Sequence, residues 1–170
     1  MPETIVDFSK LCVHTQTNKP WNLEECIRNY ASAGIHALSI WRHLLEDLSF
    51  AEIRKLVADH HMDVVSLVRG GFFASTKKKT RDAALADNLL AIEQAAEIGA
   101  PLLVLVCGSD PAQSLELSRD QIREGISKIL PVAREAGIKL AIEPLHPMYA
   151  ADRSAICTMA QANQMAEQIN

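Results

Sequence analysis

The sequence predicts an α/β fold in which five parallel strands alternate with helices as part of a (β/α) barrel. Three observations carry this. Short apolar runs recur between amphipathic segments in the order βαβαβαβαβα. Whole helices separate successive strands, so the strands must pair in parallel through right-handed crossovers. All five strand ends carry polar or glycine-rich residues. The loops of a barrel face one centre, whereas an open doubly wound sheet uses only a few of them.

The first strand is placed near residues 10–15, Lys10-Leu11-Cys12-Val13-His14-Thr15. Helix one follows with Asn22 as N-cap, Leu23, Cys26, Ile27 and Tyr30 on its apolar face, and Gly34 as its stop. Strand two spans 35–41. The next helix opens on a Ser49/Glu52 capping box and buries Ile53, Leu56 and Val57. Strand three spans 63–68. Helix three, from about Arg81 to Ile98, presents Leu85, Leu89, Ile92 and Ala96 as one stripe and ends at Gly99. Strand four, 102–107, is apolar without alternation, as expected when both faces are covered. A second capping box, Ser118/Gln121, precedes helix four, which is kinked or broken at Pro131 and stops at Gly137. Strand five spans 138–143, and a last helix runs from about Ser154 to the final residue.

Composition fits one globular domain over residues 1–170: 48% of residues are hydrophobic and 22% charged. The longest apolar run, Pro101–Cys107, is too short to cross a membrane. Met1–Asp7 has neither a basic nor an apolar leader segment, so no secretory signal is expected. The net charge of −4 argues against a nucleic-acid partner. Cys12, Cys26, Cys107 and Cys157 contain no C-x-x-C pair and read as reduced thiols of a cytoplasmic protein. His14-Thr15-Gln16-Thr17-Asn18 stands where a glycine-rich phosphate loop would follow strand one, which argues against a dinucleotide.

The strand ends supply the candidate site. Glu143 ends strand five, and Pro144 forbids a helix from starting there. A carboxylate at the mouth of a buried strand needs a partner, either a metal, an acid/base role, or backbone donors and an arginine such as Arg69. His14 reads either as a substrate contact or as a satisfied core histidine. Trp41 reads as the apolar wall of a sugar site or as strand-end packing. Arg42 and Arg69 suit an anionic or hydroxylated ligand, or a structural ion pair. His146 lines a polyol pocket or sits solvated in its loop. Lys77-Lys78-Lys79 with Arg81 reads as a solvated loop or a guide for an anion.

Several segments then resemble a known family. They are Ser39-Ile40-Trp41-Arg42, Arg69-Gly70-Gly71-Phe72-Phe73, Leu103-Val104-Leu105-Val106 with Gly108, and the run from Leu140 through Glu143-Pro144-Leu145-His146 to Asp152-Arg153. They resemble the sugar phosphate isomerase/epimerase family, whose barrel is xylose isomerase-like. The resemblance implies a divalent metal (Mn, Mg, Co or Zn) held by a Glu, an Asp, a His and a second Glu at successive strand ends. Glu143 is the first of these, both as metal ligand and as catalytic acid/base. The metal chelates neighbouring oxygens of a ketose and stabilises an enediolate. His146 and Arg153 then border the substrate, Trp41 and Arg42 line the pocket wall, and His14 and Arg69 are further substrate contacts.

The family's other three ligands come from strands six to eight, and five units in 170 residues average 34 each. Eight such units approach the ~250 residues of the full fold. The sequence therefore reads as an N-terminal portion with an incomplete metal site. Its open edges are expected to self-associate or to pair with a C-terminal half. The expected function is a metal-dependent isomerase or epimerase of a small sugar, sugar phosphate or polyol. Alternatives are a non-catalytic binding or assembly module, and a keto-inositol dehydratase. Abasic-site endonucleases share the barrel, but they need several His ligands, and strands two and three offer only His43 and Arg69.

Overall fold

The computed structural model describes residues 8–169. The expectation made on residues 1–7, that they form no leader, lies outside the described residues, as does the last residue of the final helix. Five strands, β1 (Cys12–His14), β2 (Ala37–Trp41), β3 (Asp63–Gly71), β4 (Leu102–Val106) and β5 (Lys139–Ile142), form one sheet in sequence order. Every neighbouring pair is parallel. Between them lie α1 (Leu23–Ser32), α2 (Phe50–Asp59), α3 (Lys78–Glu97) and α4 (Leu115–Glu135), and α5 (Met159–Ile169) follows β5. Among the described residues β1 and β5 each pair on one side only, so the sheet is an incomplete barrel.

Strand alternation divides the two faces. Leu38, Ile40, Leu67, Leu103 and Leu105 are fully buried in one core with Ile27, Ile53, Ile92, Ile122 and Ile129 of the helices. The intervening residues turn to the other face, where the Ser39 and Ser66 hydroxyls bond at 2.5 Å. That pairing satisfies two polar groups that are otherwise cut off from water.

Local chemistry fixes the helix ends. Asn22 accepts from the Glu25 N–H and Glu25 accepts from the Asn22 N–H, a complete capping box. Ser49 and Glu52 form the second. The expected Ser118/Gln121 box does not form. Ser114 caps α4 by accepting from the Leu117 N–H, and Ser118 lies buried one turn inside the helix. Pro131 sits within α4 without ending it. Its ring removes one N–H donor, and the Ser127 carbonyl this frees lies on an exposed residue, where water can serve it. The final helix starts at Met159 rather than near Ser154, because Gly108 bridges to Ser154 and holds that segment extended.

The stripe expected on α3 also differs. Asn88, Ala91, Ile92 and Ala95 are buried, while Leu89 and Leu90 face out. Small residues let α3 lie close on the sheet, and Asn88 has a specific task there. Pairing of β2 with β3 ends at Val68, so backbone groups beyond it need other partners. Asn88 accepts from the Gly71 N–H at 2.7 Å and donates to the Gly71 carbonyl at 2.8 Å. This holds β3 three residues longer than its apolar run suggested. A register shift against β4 between Val68 and Gly70 leaves Arg69 bulged out of the ladder.

Candidate functional site at the carboxyl ends of the strands

His14, Trp41 and Arg69 form a continuous line across β1, β2 and β3. Trp41 Nε1–H donates to His14 Nδ1 at 3.4 Å, and the Thr15 hydroxyl accepts from the Trp41 backbone N–H at 3.0 Å. The Arg69 guanidinium stands 5.7 Å from the Trp41 ring and 4.5 Å from the Phe72 ring, within cation–π range of both.

Phe72 takes φ 58°, an uncommon conformation for a bulky side chain. Its N–H bonds to the Val106 carbonyl at 2.9 Å. A Cβ on Gly71 would fall 1.9 Å from that same carbonyl oxygen, and one on Gly108 would fall 2.7 Å from the Phe72 Cα. Glycine is therefore required at both positions for the β3 and β4 ends to close on each other. The pair Gly70-Gly71 was the sequence signal for this turn, yet the role of Phe72 beneath Arg69 was not foreseen.

Glu143 follows β5 directly, and its N–H bonds to the Leu105 carbonyl at 3.0 Å. Its charge reaches two groups. Burial pushes the Cys107 thiol up to about 12, and the Glu143 carboxylate adds to the rise. Burial lowers the Arg69 pKa, the nearby Arg153 charge lowers it further, and Glu143 opposes both. Arg69, Glu143 and Arg153 thus share one electrostatic environment.

The loop after β5 is tied back to β4. The Gly108 N–H donates to the Arg153 carbonyl at 3.0 Å, and the Ala155 N–H donates to the Gly108 carbonyl at 2.9 Å. The Arg153 guanidinium lies over the Tyr149 ring at 4.6 Å and has a loose ion pair, 3.8 Å, with Asp152.

Two candidates stand apart. Arg42 turns towards α3, where it grips both Asp87 oxygens at 2.8 and 2.9 Å and donates to the Gln94 side-chain oxygen at 2.8 Å. With its side chain 18% exposed, it is held in a structural ion pair, and it reaches the rim through a bond to the Arg69 carbonyl. His146 is exposed and caps its own turn by accepting from the Met148 N–H at 3.2 Å. Near the end of β1 the buried side-chain oxygen of Gln16 has no hydrogen-bond partner, an unused acceptor that sequence reading did not single out.

The donor set does not fit a divalent metal by itself. Among the described residues no three His, Cys, Asp or Glu side chains gather closely enough to hold an ion. The groups whose charge Glu143 affects are the Arg69 guanidinium and a thiol held protonated, neither of which is a good ligand for such an ion. None of the described helices is long and apolar enough to cross a membrane.

Comparison with known proteins agrees with this architecture. Protein SMc04130 from Sinorhizobium meliloti 1021 is 35% identical, with a TM-score of 0.91 over 96% of this chain and 61% of its own. D-psicose 3-epimerase, solved in the presence of D-fructose, is 17% identical with a TM-score of 0.79, over 94% of this chain and 59% of its own. The IolI protein, solved with a zinc atom, is 18% identical with a TM-score of 0.80, over 94% and 58%. At these lower identities the likeness concerns the fold. The chain spans about three-fifths of the length of each. No curated protein sequence matches it. The xylose isomerase-like TIM barrel family matches over residues 27–170, most of the chain, and the chain belongs to that family.

Proposed function

We propose that the strand ends form part of a site for a small sugar or polyol, and that the whole protein is an isomerase or epimerase acting through an enediolate. The observation that supports this best is the line His14–Trp41–Arg69 on a partly apolar wall, with the Glu143 carboxylate acting on the Arg69 charge. In this reading Trp41 stacks on the C–H face of the substrate. Glu143 takes the proton from the carbon next to the carbonyl, the C–H electron pair forms the new C=C bond, and the carbonyl π pair moves onto its oxygen. Arg69 is a further substrate contact on the same wall. Arg42 acts as a positioning residue through the Arg69 carbonyl.

Metal dependence is proposed of the whole protein only. Glu143 is one of the four ligands that the sequence resemblance implies. We propose further that the open edges of β1 and β5 are covered by additional βα units or by a second copy, and that the protein is cytoplasmic. A non-catalytic binding module is the second reading, favoured because among the described residues no three His, Cys, Asp or Glu side chains gather to hold an ion.

Proton exchange separates the two. The whole protein, this chain with its remaining βα units, is incubated with ketoses in deuterium oxide, with and without Mn²⁺, and deuterium at the carbon beside the carbonyl is followed by NMR. Incorporation that disappears in Glu143→Gln supports the enzyme. Absence of exchange in the presence of metal refutes the enediolate step and leaves the binding module.

A further inference from the structure

We infer that this rim recognises a ligand bearing an anionic group, a carboxylate or a phosphate ester, through the Arg69 guanidinium with Arg153 beside it. The inference rests on the sugar or polyol reading above and assigns the charge of that ligand.

Arg69 is unlike the other arginines of the fold. Arg42 ends on Asp87, Arg54 on Glu97 and Arg81 on the Ser75 carbonyl. The Arg69 side chain has no carboxylate within 4 Å and no hydrogen-bond acceptor among the described residues, only the rings of Trp41 and Phe72. Those rings restrain the guanidinium without using any of its five N–H donors. A half-buried, pre-oriented fork with unused donors matches the two oxygens of a carboxylate or phosphate.

The charge of Arg153 is felt at Arg69, and the Arg153 backbone is tied to the same end of the sheet. Its carbonyl is fixed to the Gly108 N–H, and Gly108 packs against the Phe72 backbone beneath Arg69. Burial lowers the Arg69 pKa most, and the Arg153 charge lowers it further. Glu143 opposes this, and Asp152 holds Arg153 only at 3.8 Å on an exposed surface.

The test titrates the 170-residue chain calorimetrically, at low ionic strength, with D-fructose, D-fructose 6-phosphate and D-fructuronate. One anion is expected to bind about tenfold or more tighter than D-fructose, and which one does so identifies the group. In Arg69→Gln the preference should fall to about twofold or less, with Arg69→Lys retaining part of it, because a lysine keeps the charge but not the planar fork. Arg153→Gln, at an exposed position, should weaken the preference too, and it tests the idea even if Arg69→Gln fails to fold. Equal binding of neutral and anionic probes, or a preference unchanged in Arg153→Gln and in folded Arg69→Gln, overturns this inference alone. Binding of none of the three overturns the sugar reading together with it.

Discussion

Replacing Asn88 by alanine probes the contact that extends β3 to the rim. The side chain is fully buried and makes three hydrogen bonds, to the Gly71 N–H, the Gly71 carbonyl and the Ala84 carbonyl. Gly71 lies past the end of the β2 pairing, so no strand on that side can take over. Leaving a buried donor or acceptor unpaired costs about 1–3 kcal/mol each. For the two Gly71 groups the expected loss is therefore about 2–6 kcal/mol, out of a typical ~5–15 for a domain. Urea unfolding followed by tryptophan fluorescence measures it as a lower midpoint at constant slope. Asn88→Asp is the informative companion. It keeps the acceptor for the N–H but turns a carboxylate towards two carbonyls, so its deficit should shrink as pH falls and the protonated carboxyl can again donate. A loss below about 1 kcal/mol for Asn88→Ala would show that water substitutes readily there, and would refute the reasoning.

Three other outcomes are expected. His61 ends α2 at φ 52°, a conformation glycine adopts freely, so His61→Gly should stabilise the fold by up to about 1 kcal/mol in the same assay. Cys107 is fully buried with its thiol pushed up to about 12, so a thiol reagent at pH 8 should modify Cys12 or Cys157 first and reach Cys107 only on unfolding. The Asp110 carboxyl is held below its ordinary range by the N–H groups of Thr76 and Ala112. Its stabilising effect should be complete above the unfolded value near ~4 and be lost as pH falls through the lower folded value, so wild type and Asp110→Ala should converge in acid melts.

Much of the fold was legible because its signals are local. Apolar runs marked all five strands, and the Ser49/Glu52 spacing marked α2. The strand ends that carry His14, Trp41, Arg69 and Glu143 followed from the same runs. What was missed depends on distant partners. On α3 the expected stripe held at Ile92 and partly at Leu85 but not at Leu89 or Ala96, because the sheet beneath also took Asn88, Ala91 and Ala95. The partner of Arg42, Asp87, lies 45 residues away in sequence, so no spacing rule could join them. Ser118 has the residue type of a cap, but Ser114 meets the same requirement one turn earlier.

The bulge in β3 has a consequence for how this strand can change. Val68 pairs with Val104 and Gly70 with Leu105, so Arg69 has no opposite number in β4. The ladder would keep its register if that one residue were deleted. Arg69 is therefore supernumerary to the sheet, an insertion the strand carries without needing it for pairing. Variation in length at this point, rather than in residue type alone, is the economical way to add or remove a cation at the rim while leaving the scaffold as it is.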